Sequence, residues 1–195
     1  TDWLSVGVAL QAFTGRFVSE TTLSNCDGVV CDTPEDPMFD AAIQFESKNF
    51  ARPGLHAGII VAPTKWLRLG LSWESGYRIE VDGVLRGRLP DDEIFDEAYL
   101  DPAEPEAMAR FSLPMSLRAG IELRGDTGWR LEGAFVWEQW SVHDMLELDP
   151  EETVIAEVAL IGDYRLGRVE IERAFRDTWS LRIGGELPIG DLGAT

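Results

Sequence analysis

Residues Trp129–Trp137 read WRLEGAFVW, and the alternation of these residues is the clearest indication of the fold class of the chain. Its odd positions carry mostly large apolar side chains, while Arg130 and Glu132 stand at even positions. A two-residue period with one apolar face predicts a β-strand, because alternate side chains of a strand point to opposite faces. Other segments alternate in the same way, so the sequence predicts six strands at about residues 2–23, 41–63, 66–89, 110–124, 128–146 and 165–188.

The two faces of these strands differ in chemistry. In the third strand one continuous apolar face is expected, formed by Leu67, Leu69, Leu71, Trp73, Tyr77, Ile79 and Val81. The opposite face of the strands carries charges, at Arg68, Glu74, Arg78, Arg118, Glu122, Arg130, Glu132, Glu138 and Arg182. Charged side chains are rarely buried in a core, so this face is predicted to line a polar lumen, where neighbouring strands can pair opposite charges.

The charge of the chain is concentrated in its connections. The 195 residues include 35 acidic and 17 basic ones, for a net charge of -18. Nineteen of the acids lie in residues 27–40, 91–106 and 144–157, which contain no base. We therefore predict three long acidic loops at about 24–40, 90–109 and 147–164, which alternate with tight turns at 62–65 and 124–128. Such an acidic chain would repel a phosphate backbone, so a nucleic-acid partner is excluded.

Long loops on one side and tight turns on the other are typical of an outer-membrane barrel. Trp129 and Trp137 lie on the outward face, roughly 20 Å apart in depth for a tilted strand, which fits two aromatic girdles. The prediction is an all-β, antiparallel, up-and-down transmembrane β-barrel segment spanning residues 1–195. It would lie in the bacterial outer membrane, with membrane lipid and lipopolysaccharide as partners. A soluble antiparallel barrel with one wet face is the alternative.

The remaining motifs point to little chemistry. Cys26 and Cys31 lie in the first acidic loop, where a disulfide suits an oxidising compartment and two free thiols are the alternative. With only two cysteines and two histidines in the chain no zinc site is predicted, and no EF-hand spacing is present, so no metal and no cofactor are predicted. His143-Asp144 at a strand end has no partner nucleophile in a recognisable motif, so no catalytic residue is predicted.

Three segments resemble the FadL/TodX-type outer-membrane transporters of long-chain fatty acids and hydrocarbons. They are GLHAGIIVAPTKWLRLGLSWESGYRIEVDG at 54–83, LPMSLRAGIELRGDTGWRLEGAFVWEQWSV at 113–142 and FRDTWSLRIGG at 175–185. Thr1–Thr21 resembles the strand before the first long loop of the family. The resemblance implies a fourteen-stranded barrel with a hatch in its lumen, to which this chain would contribute the middle six strands. The hatch and the other strands are expected outside this chain, which would then be a fragment.

The resemblance also implies where a ligand binds. The family captures ligand between two outer loops, here Ser24–Phe39 and Pro90–Ala109, and then holds it deeper in the lumen. The implied ligand-binding residues are Val29, Val30, Phe39, Ile94, Phe95, Tyr99 and Leu100 in the loops, and Phe13, Phe17, Thr21, Ile171 and Arg173 deeper. The loop residues could instead only pin the loops together. Thr21 and Ile171 fall where the family places basic side chains, so a neutral hydrocarbon fits at least as well as a fatty acid.

The function expected on these grounds is uptake of a hydrophobic small molecule, either a long-chain fatty acid or a neutral hydrocarbon, by passive diffusion through a porin-like barrel. No enzyme activity is expected. Two alternatives remain at this stage. One is a structural or adhesive outer-membrane barrel that presents acidic surface loops, and the other is a small outer-membrane hydrolase that uses His143.

Overall fold

The computed structural model describes residues 3–24, 40–160 and 162–188. This part of the chain is all-β and antiparallel, with two single-turn 3-10 helices at Glu93–Phe95 and Trp140–Val142. The described strands are β1 Leu4–Gly15, β2 Val18–Ser24, β3 Asp40–Ser47, β4 Phe50–Thr64, β5 Leu67–Glu74, β6 Tyr77–Arg88, β7 Tyr99–Asp101, β8 Glu106–Leu113, β9 Ser116–Arg124, β10 Arg130–Glu138, β11 Met145–Pro150, β12 Val154–Val158, β13 Gly162–Arg165, β14 Val169–Glu172 and β15 Thr178–Glu186.

Each of the six predicted strands is interrupted once, and the interruptions divide the sheet into two tiers. The lower tier has the strand order β1-β4-β5-β9-β10-β15, and the upper tier has the order β2-β3-β6-β8-β11-β14. Because the two halves of each long strand occupy the same place in both orders, the tiers form one continuous up-and-down wall. Tight turns join β4 to β5 and β9 to β10 at its lower end, and the long connections lie at its upper end. The predicted strand order is therefore the order observed.

The two acidic connections that the structure describes are not plain loops, which corrects the prediction for residues 90–109 and 147–164. They contain β7, β12 and β13, which form a small three-stranded sheet in the order β13-β12-β7. The connections are also shortened, because β8 begins at Glu106 and β11 runs to Pro150. Apolar residues of these connections, such as Ala109, Leu148 and Val158, are buried and pack in the interior. The many acidic residues around them had led to the prediction of plain loops. Most of the predicted loop 24–40 lies outside the described residues.

The apolar side chains of the wall are exposed in the lower tier and buried in the upper tier. In the lower tier the apolar side chains are exposed, as at Leu69 and Ile121, whose relative exposures are 42% and 45%. In the upper tier they are buried, and Ile79 and Val81 have exposures of 0% and 6%. The expectation that one continuous face of the third strand carries all of its apolar residues is therefore wrong.

The reversal arises at Ser75 and Gly76, which separate β5 from β6. The Nε2 of Gln11 donates a hydrogen bond to the Tyr77 hydroxyl at 2.6 Å and another to the Glu74 carboxylate at 3.2 Å. Tyr77 and Glu74 thus point to the same side of the wall, although residues three apart in a regular strand point to opposite sides. We call this side the inner face, and the opposite side the outer face. The inner face is polar in the lower tier and apolar in the upper tier.

The core of the molecule lies on the inner face of the upper tier. Its fully buried members include Phe45, Ile79 and Ala109, and Phe17 and Phe111 pack against them. The outer face of the same tier is covered by ion pairs. Arg86 pairs with Glu46 at 2.5 Å and with Glu104 at 2.9 Å, and Arg168 pairs with Asp149 at 2.9 Å. The upper tier therefore has the arrangement of a water-exposed sheet with an apolar interior.

A close approach within this core makes one glycine necessary. A Cβ atom on Gly83 would lie 2.4 Å from the Glu46 carbonyl oxygen and 2.6 Å from the Phe45 ring. We expect Gly83→Ala to destabilise the fold by about 1–3 kcal/mol, since overpacking a tight core has costs of this size. Denaturant unfolding in detergent measures the change. Gly70→Ala is the control, because no atom lies within 4 Å of its added Cβ. Equal stability of both variants would contradict the packing described.

Candidate functional site

An apolar pocket of about 430 Å³ opens at the top of the upper tier. Its floor is formed by the upper ends of β3 and β6, and its roof by the small sheet of β7, β12 and β13 and the first 3-10 helix. The apolar side chains that line it include Ile43, Leu85, Phe95, Leu100, Ile155 and Val158. A concave, mostly apolar cavity of this volume is the kind of site that holds a small hydrophobic molecule.

The acidic connections position the roof of the pocket. Asp92 caps the 3-10 helix that carries Phe95, because its carboxylate accepts a hydrogen bond from the Ile94 backbone N–H at 3.0 Å. The Ile94 carbonyl in turn accepts a hydrogen bond from the Ala159 N–H at 3.0 Å, which ties the helix to the end of β12. Leu100 is fixed by the pairing of β7 with β12. Asp92, an acid that the sequence places in a loop, thus helps to hold apolar side chains in the roof.

A second, much narrower cavity of about 20 Å³ lies below the first and shares Ile43, Leu85 and Leu166 with it. Thr21 and Ile171 both line this narrow cavity. They belong to β2 and β14, the two edge strands of the upper tier, so the tier is curled far enough to bring its edges together. The structure thus places these two predicted residues in one cavity.

The charged groups at the pocket are already paired. Arg86 and Arg88 are the two charged residues among those that line it. Arg86 contacts Glu46 and Glu104, and Arg88 lies 3.5 Å from Asp91. Nearby, the hydrogen bond that Arg168 donates to Asp149 raises the pKa of the Arg168 guanidinium above its usual value. A carboxylate ligand would therefore have to compete with a carboxylate of the protein for either lining arginine.

The other predicted ligand residues are scattered. Phe95 and Leu100 line the pocket, but Tyr99 does not and is 51% exposed. Phe13 and Phe17 lie on the inner face, where they pack against other aromatic rings. The Arg173 side chain is exposed and borders neither cavity. Five further predicted residues lie outside the described part of the chain, namely Val29, Val30, Phe39, Cys26 and Cys31.

Several lining residues were missed by the sequence reasoning, among them Ile43, Leu85, Tyr164 and Leu166. Ile43 and Leu85 belong to strands that were predicted to cross the membrane along their whole length. Tyr164 lies at the end of an acidic connection whose fold was not anticipated, and Leu166 follows shortly after it. The alternation of apolar and acidic residues in β11 and β12 was the available signal that these connections are structured.

The predicted lumen charges lie on the inner face of the lower tier, with one exception. Arg118 on β9 contacts Glu74 on β5 at 3.2 Å, and Arg130 on β10 contacts Glu186 on β15 at 2.6 Å as well as Glu132 on its own strand at 3.1 Å. Arg68, Glu122, Glu138 and Arg182 occupy positions of the same parity on β5, β9, β10 and β15. Arg78 instead lies beyond the reversal at 75–76, exposed on the outer face of the upper tier. The polar inner face of the lower tier is thus a cross-strand network of charges.

Tryptophans mark both ends of the lower tier. Trp3, Trp66 and Trp129 lie at its lower end and are all exposed. At its upper end Trp73, Leu117, Trp137 and Trp179 are in register across four neighbouring strands. Apolar side chains occupy the outer face between the two rows, including Leu69, Ile121 and Leu131. Two aromatic rows around an exposed apolar band are the surface of a transmembrane barrel.

The His143-Asp144 pair serves packing. The His143 Nδ1 lies 2.6 Å from the Ser112 carbonyl oxygen, and its ring stacks on Phe175 with centroids 5.4 Å apart. Asp144 accepts a hydrogen bond from the Arg173 N–H through its backbone carbonyl. In residues 3–24, 40–160 and 162–188, no three acidic, histidine or cysteine side chains are grouped to hold a metal ion. Within the same ranges, no helix is both long enough and apolar enough to cross a membrane.

Comparisons with known proteins agree with this architecture. The chain superposes on a Pseudomonas aeruginosa FadL homologue with a TM-score of 0.67 and 20% identity, over 98% of this chain and 44% of that one. It also superposes on the CymD monoaromatic hydrocarbon channel with a TM-score of 0.64 and 17% identity, over 97% of this chain and 53% of that one. The chain therefore spans about half the length of these solved relatives. A search of curated proteins found no match.

The sequence itself matches the family described as "Outer membrane protein transport protein (OMPP1/FadL/TodX)" over residues 1–191. The match covers nearly the whole chain and includes both tiers. The predicted resemblance and the predicted barrel fold are thereby confirmed. The protein belongs to the OMPP1/FadL/TodX family of outer membrane transport proteins.

Proposed function

We propose that this protein takes up hydrophobic small molecules, a long-chain fatty acid or a neutral hydrocarbon, across the bacterial outer membrane. The observation that carries the proposal is the apolar pocket of about 430 Å³ above a lower tier whose outer surface is built for lipid. In this scheme a molecule leaves water for the pocket between Phe95 and Leu100, and then enters the interior of the upper tier. No cofactor takes part, and the free energy comes from the removal of apolar surface from water.

The proposed passage is passive diffusion guided by affinity. Ile43, Leu85 and Leu166 border both cavities, so a ligand that moves from one to the other stays among apolar side chains. The narrow cavity holds about 20 Å³, so the side chains around it must move apart for a ligand to pass. Side-chain motions of this kind are thermally accessible and need no energy source.

A binding titration of the full-length protein in detergent tests the proposal. Ethylbenzene and a long-chain fatty acid are added separately, and tryptophan fluorescence is recorded. Saturable binding of at least one of them is the expected result. The absence of saturable binding of either would contradict the proposed function. The ligand that binds with the higher affinity indicates the substrate class. A fatty-acid carboxylate has to displace an acidic side chain from Arg86 or Arg88, whereas ethylbenzene does not have to displace one.

Leu100→Asp is expected to weaken ethylbenzene binding about tenfold or more, a change that corresponds to ~1.4 kcal/mol. The reason is that a carboxylate in the apolar wall must be desolvated when the ligand covers it. The same titration measures the effect. Tyr99→Asp is the matched control, because Tyr99 is the adjacent residue, is exposed and does not line the pocket. Equal affinities of the two variants would place the binding site elsewhere.

A further inference from the structure

A polar groove of about 260 Å³ lies on the outer face of the wall, where the upper tier begins. It is formed by the lower ends of β6 and β8 and by the residues that lead into β11. Arg78 and Glu80 have outer-face parity on β6, and Arg110 of β8 is paired with Glu80. The groove therefore opens away from the interior of the upper tier. In the described part of the chain, it shares no lining residue with the apolar pocket.

The two arginines of the groove have N–H donors that remain available to an anion. Arg78 is exposed and forms no ion pair with any residue that the structure describes, whereas Arg168 on the same face is paired. Arg110 lies 3.8 Å from Glu147 and 3.6 Å from Asp149, and these distances are too long for hydrogen bonds. Arg78 and Arg110 are diagonal neighbours on adjacent strands, so their long side chains can reach the same group. Guanidinium donors of this kind match the oxygens of a phosphate.

Carboxylates border the same groove and disfavour a simple anion. Glu80 and Asp144 are exposed, and Glu147 is half-buried beside Arg110. A free phosphate would be repelled by these three acids, and a metal ion would be repelled by the two arginines. A phosphorylated saccharide suits both kinds of group, since its phosphate accepts hydrogen bonds from arginine and its hydroxyls donate hydrogen bonds to carboxylates. The mixed charge of the groove therefore favours a sugar phosphate over either ion.

The height of the groove above the membrane indicates the size of the headgroup that reaches it. Arg78 lies on the continuation of the strand that carries Trp73 of the upper tryptophan row, a rise of roughly 13 Å for a tilted strand. Phospholipid headgroups add only about 5–8 Å to each side of the hydrocarbon core of a bilayer. A lipid whose acyl chains lie on the apolar band below thus needs a larger headgroup to reach the groove, such as a phosphorylated oligosaccharide.

We propose that this groove binds the phosphorylated saccharide headgroup of lipopolysaccharide in the water-facing leaflet of the outer membrane. Arg78 and Arg110 hold a phosphate, and the carboxylate of Glu80 accepts a hydrogen bond from a neighbouring sugar hydroxyl. The acyl chains of the same molecule lie below, against the exposed apolar band between the two tryptophan rows. The proposal goes beyond uptake of a hydrophobic molecule and does not depend on it, because the groove and the apolar pocket are formed by different residues.

The test measures binding of purified rough lipopolysaccharide, whose saccharide is short and phosphorylated, to the full-length protein in detergent. Native mass spectrometry gives the affinity of each variant. Arg78→Glu reverses the charge of the groove at an exposed position. Arg165→Glu is the matched control, because it makes the same change of charge at an exposed position of β13 that does not line the groove. EDTA is present throughout, so that divalent cations cannot bridge lipid phosphates to acidic side chains.

Arg78→Glu is expected to weaken lipopolysaccharide binding about tenfold, while Arg165→Glu leaves the affinity unchanged. Removing the phosphates from the lipopolysaccharide is expected to abolish the difference between the two variants. Equal affinities of the wild type and Arg78→Glu for the intact lipid would overturn the site. Competition by inorganic phosphate, or equally tight binding of phosphatidylglycerol that depends on Arg78, would overturn the assignment of a saccharide headgroup. Ethylbenzene binding is expected to be the same in all of these variants, so failure of this site and failure of the proposed uptake are distinguishable.

Glu80→Ala tests the saccharide contact separately from the phosphate contact. If the Glu80 carboxylate accepts a hydrogen bond from a sugar hydroxyl, its removal is expected to weaken lipopolysaccharide binding about threefold. If the groove held a phosphate alone, removal of this negative charge would instead strengthen binding, because like charges repel. Unchanged or tighter binding of lipopolysaccharide by Glu80→Ala would therefore contradict the proposed saccharide site.

Discussion

Arginine in place of Leu69 is expected to destabilise the folded protein in a lipid bilayer by about 2–4 kcal/mol, the cost of a basic side chain on the lipid face near the bilayer midplane. Leu69 is 42% exposed on the outer face, on the strand that runs from the Trp66 row to the Trp73 row. The preceding residue, Arg68, is already an arginine, but it points to the inner face and lies opposite Glu122. At one depth in the bilayer, the effect of a charge thus depends on the face of the wall that carries it.

The neighbouring variant Gly70→Arg is the matched control for this prediction. It introduces the same side chain at nearly the same depth on the inner face, where no atom lies within 4 Å of an added Cβ. Urea titration of folding into bilayers of defined thickness, followed by tryptophan fluorescence, gives both free energies of unfolding. Leu69→Arg is expected to have a free energy of unfolding about 2–4 kcal/mol lower than that of Gly70→Arg. If the two variants were equally stable, the outer face of the lower tier would not contact lipid.

Alanine in place of Phe45 is expected to reduce the free energy of unfolding by about 3–5 kcal/mol, the usual range for removing a buried phenylalanine ring. Phe45 has no exposed surface, and its ring lies in the core of the upper tier near Phe17. A simple membrane wall would not show so large an effect, because its apolar residues face lipid and lose few contacts when truncated. The size of the loss therefore reports whether the upper tier has an interior.

The adjacent variant Gln44→Ala provides the comparison for Phe45→Ala. Gln44 has the opposite parity on β3 and is only partly buried, so its truncation should change stability by less than about 1 kcal/mol, as is usual for surface positions. Both variants are unfolded with guanidinium in the same detergent. Similar losses for the two positions would contradict the buried inner face of the upper tier.

Much of the wall could be predicted from the sequence, because alternation is a local signal. The alternation of residues around Trp129 and Trp137 predicted β-strands, and the positions of the tight turns predicted the order of the strands. The reversal of faces at Ser75-Gly76 could not be predicted in this way. Leu71, Ile79 and Val81 all occupy odd positions, so the alternation in the sequence continues without interruption from β5 to β6. In the structure, however, odd-numbered side chains change from the outer face to the inner face between the two strands. The change becomes visible in the contact of Tyr77 with Gln11 and in the burial of Ile79 and Val81.

The candidate pocket was predicted only in part, because only some of its residues carry a local signal in the sequence. Phe95 and Leu100 stood out as apolar residues in an acidic connection, and they line the pocket. Ile43 and Tyr164 line it too, although they are separated by most of the chain, and no local signal links such residues. Their meeting depends on the curl of the upper tier and on the pairing of β12 with β13, which are long-range features.

The most direct test of the two-tier structure measures whether the outer face contacts lipid in the lower tier and water in the upper tier. Spin labels are placed by Leu71→Cys and Glu80→Cys, two exposed positions of one long strand, and the full-length protein is reconstituted in a bilayer. Power saturation with oxygen and with a water-soluble nickel complex then reports lipid or water at each label. Oxygen is expected to dominate at position 71 and the nickel complex at position 80. Lipid at position 80, or water at position 71, would contradict the reversal of faces and with it the apolar interior proposed to receive the ligand.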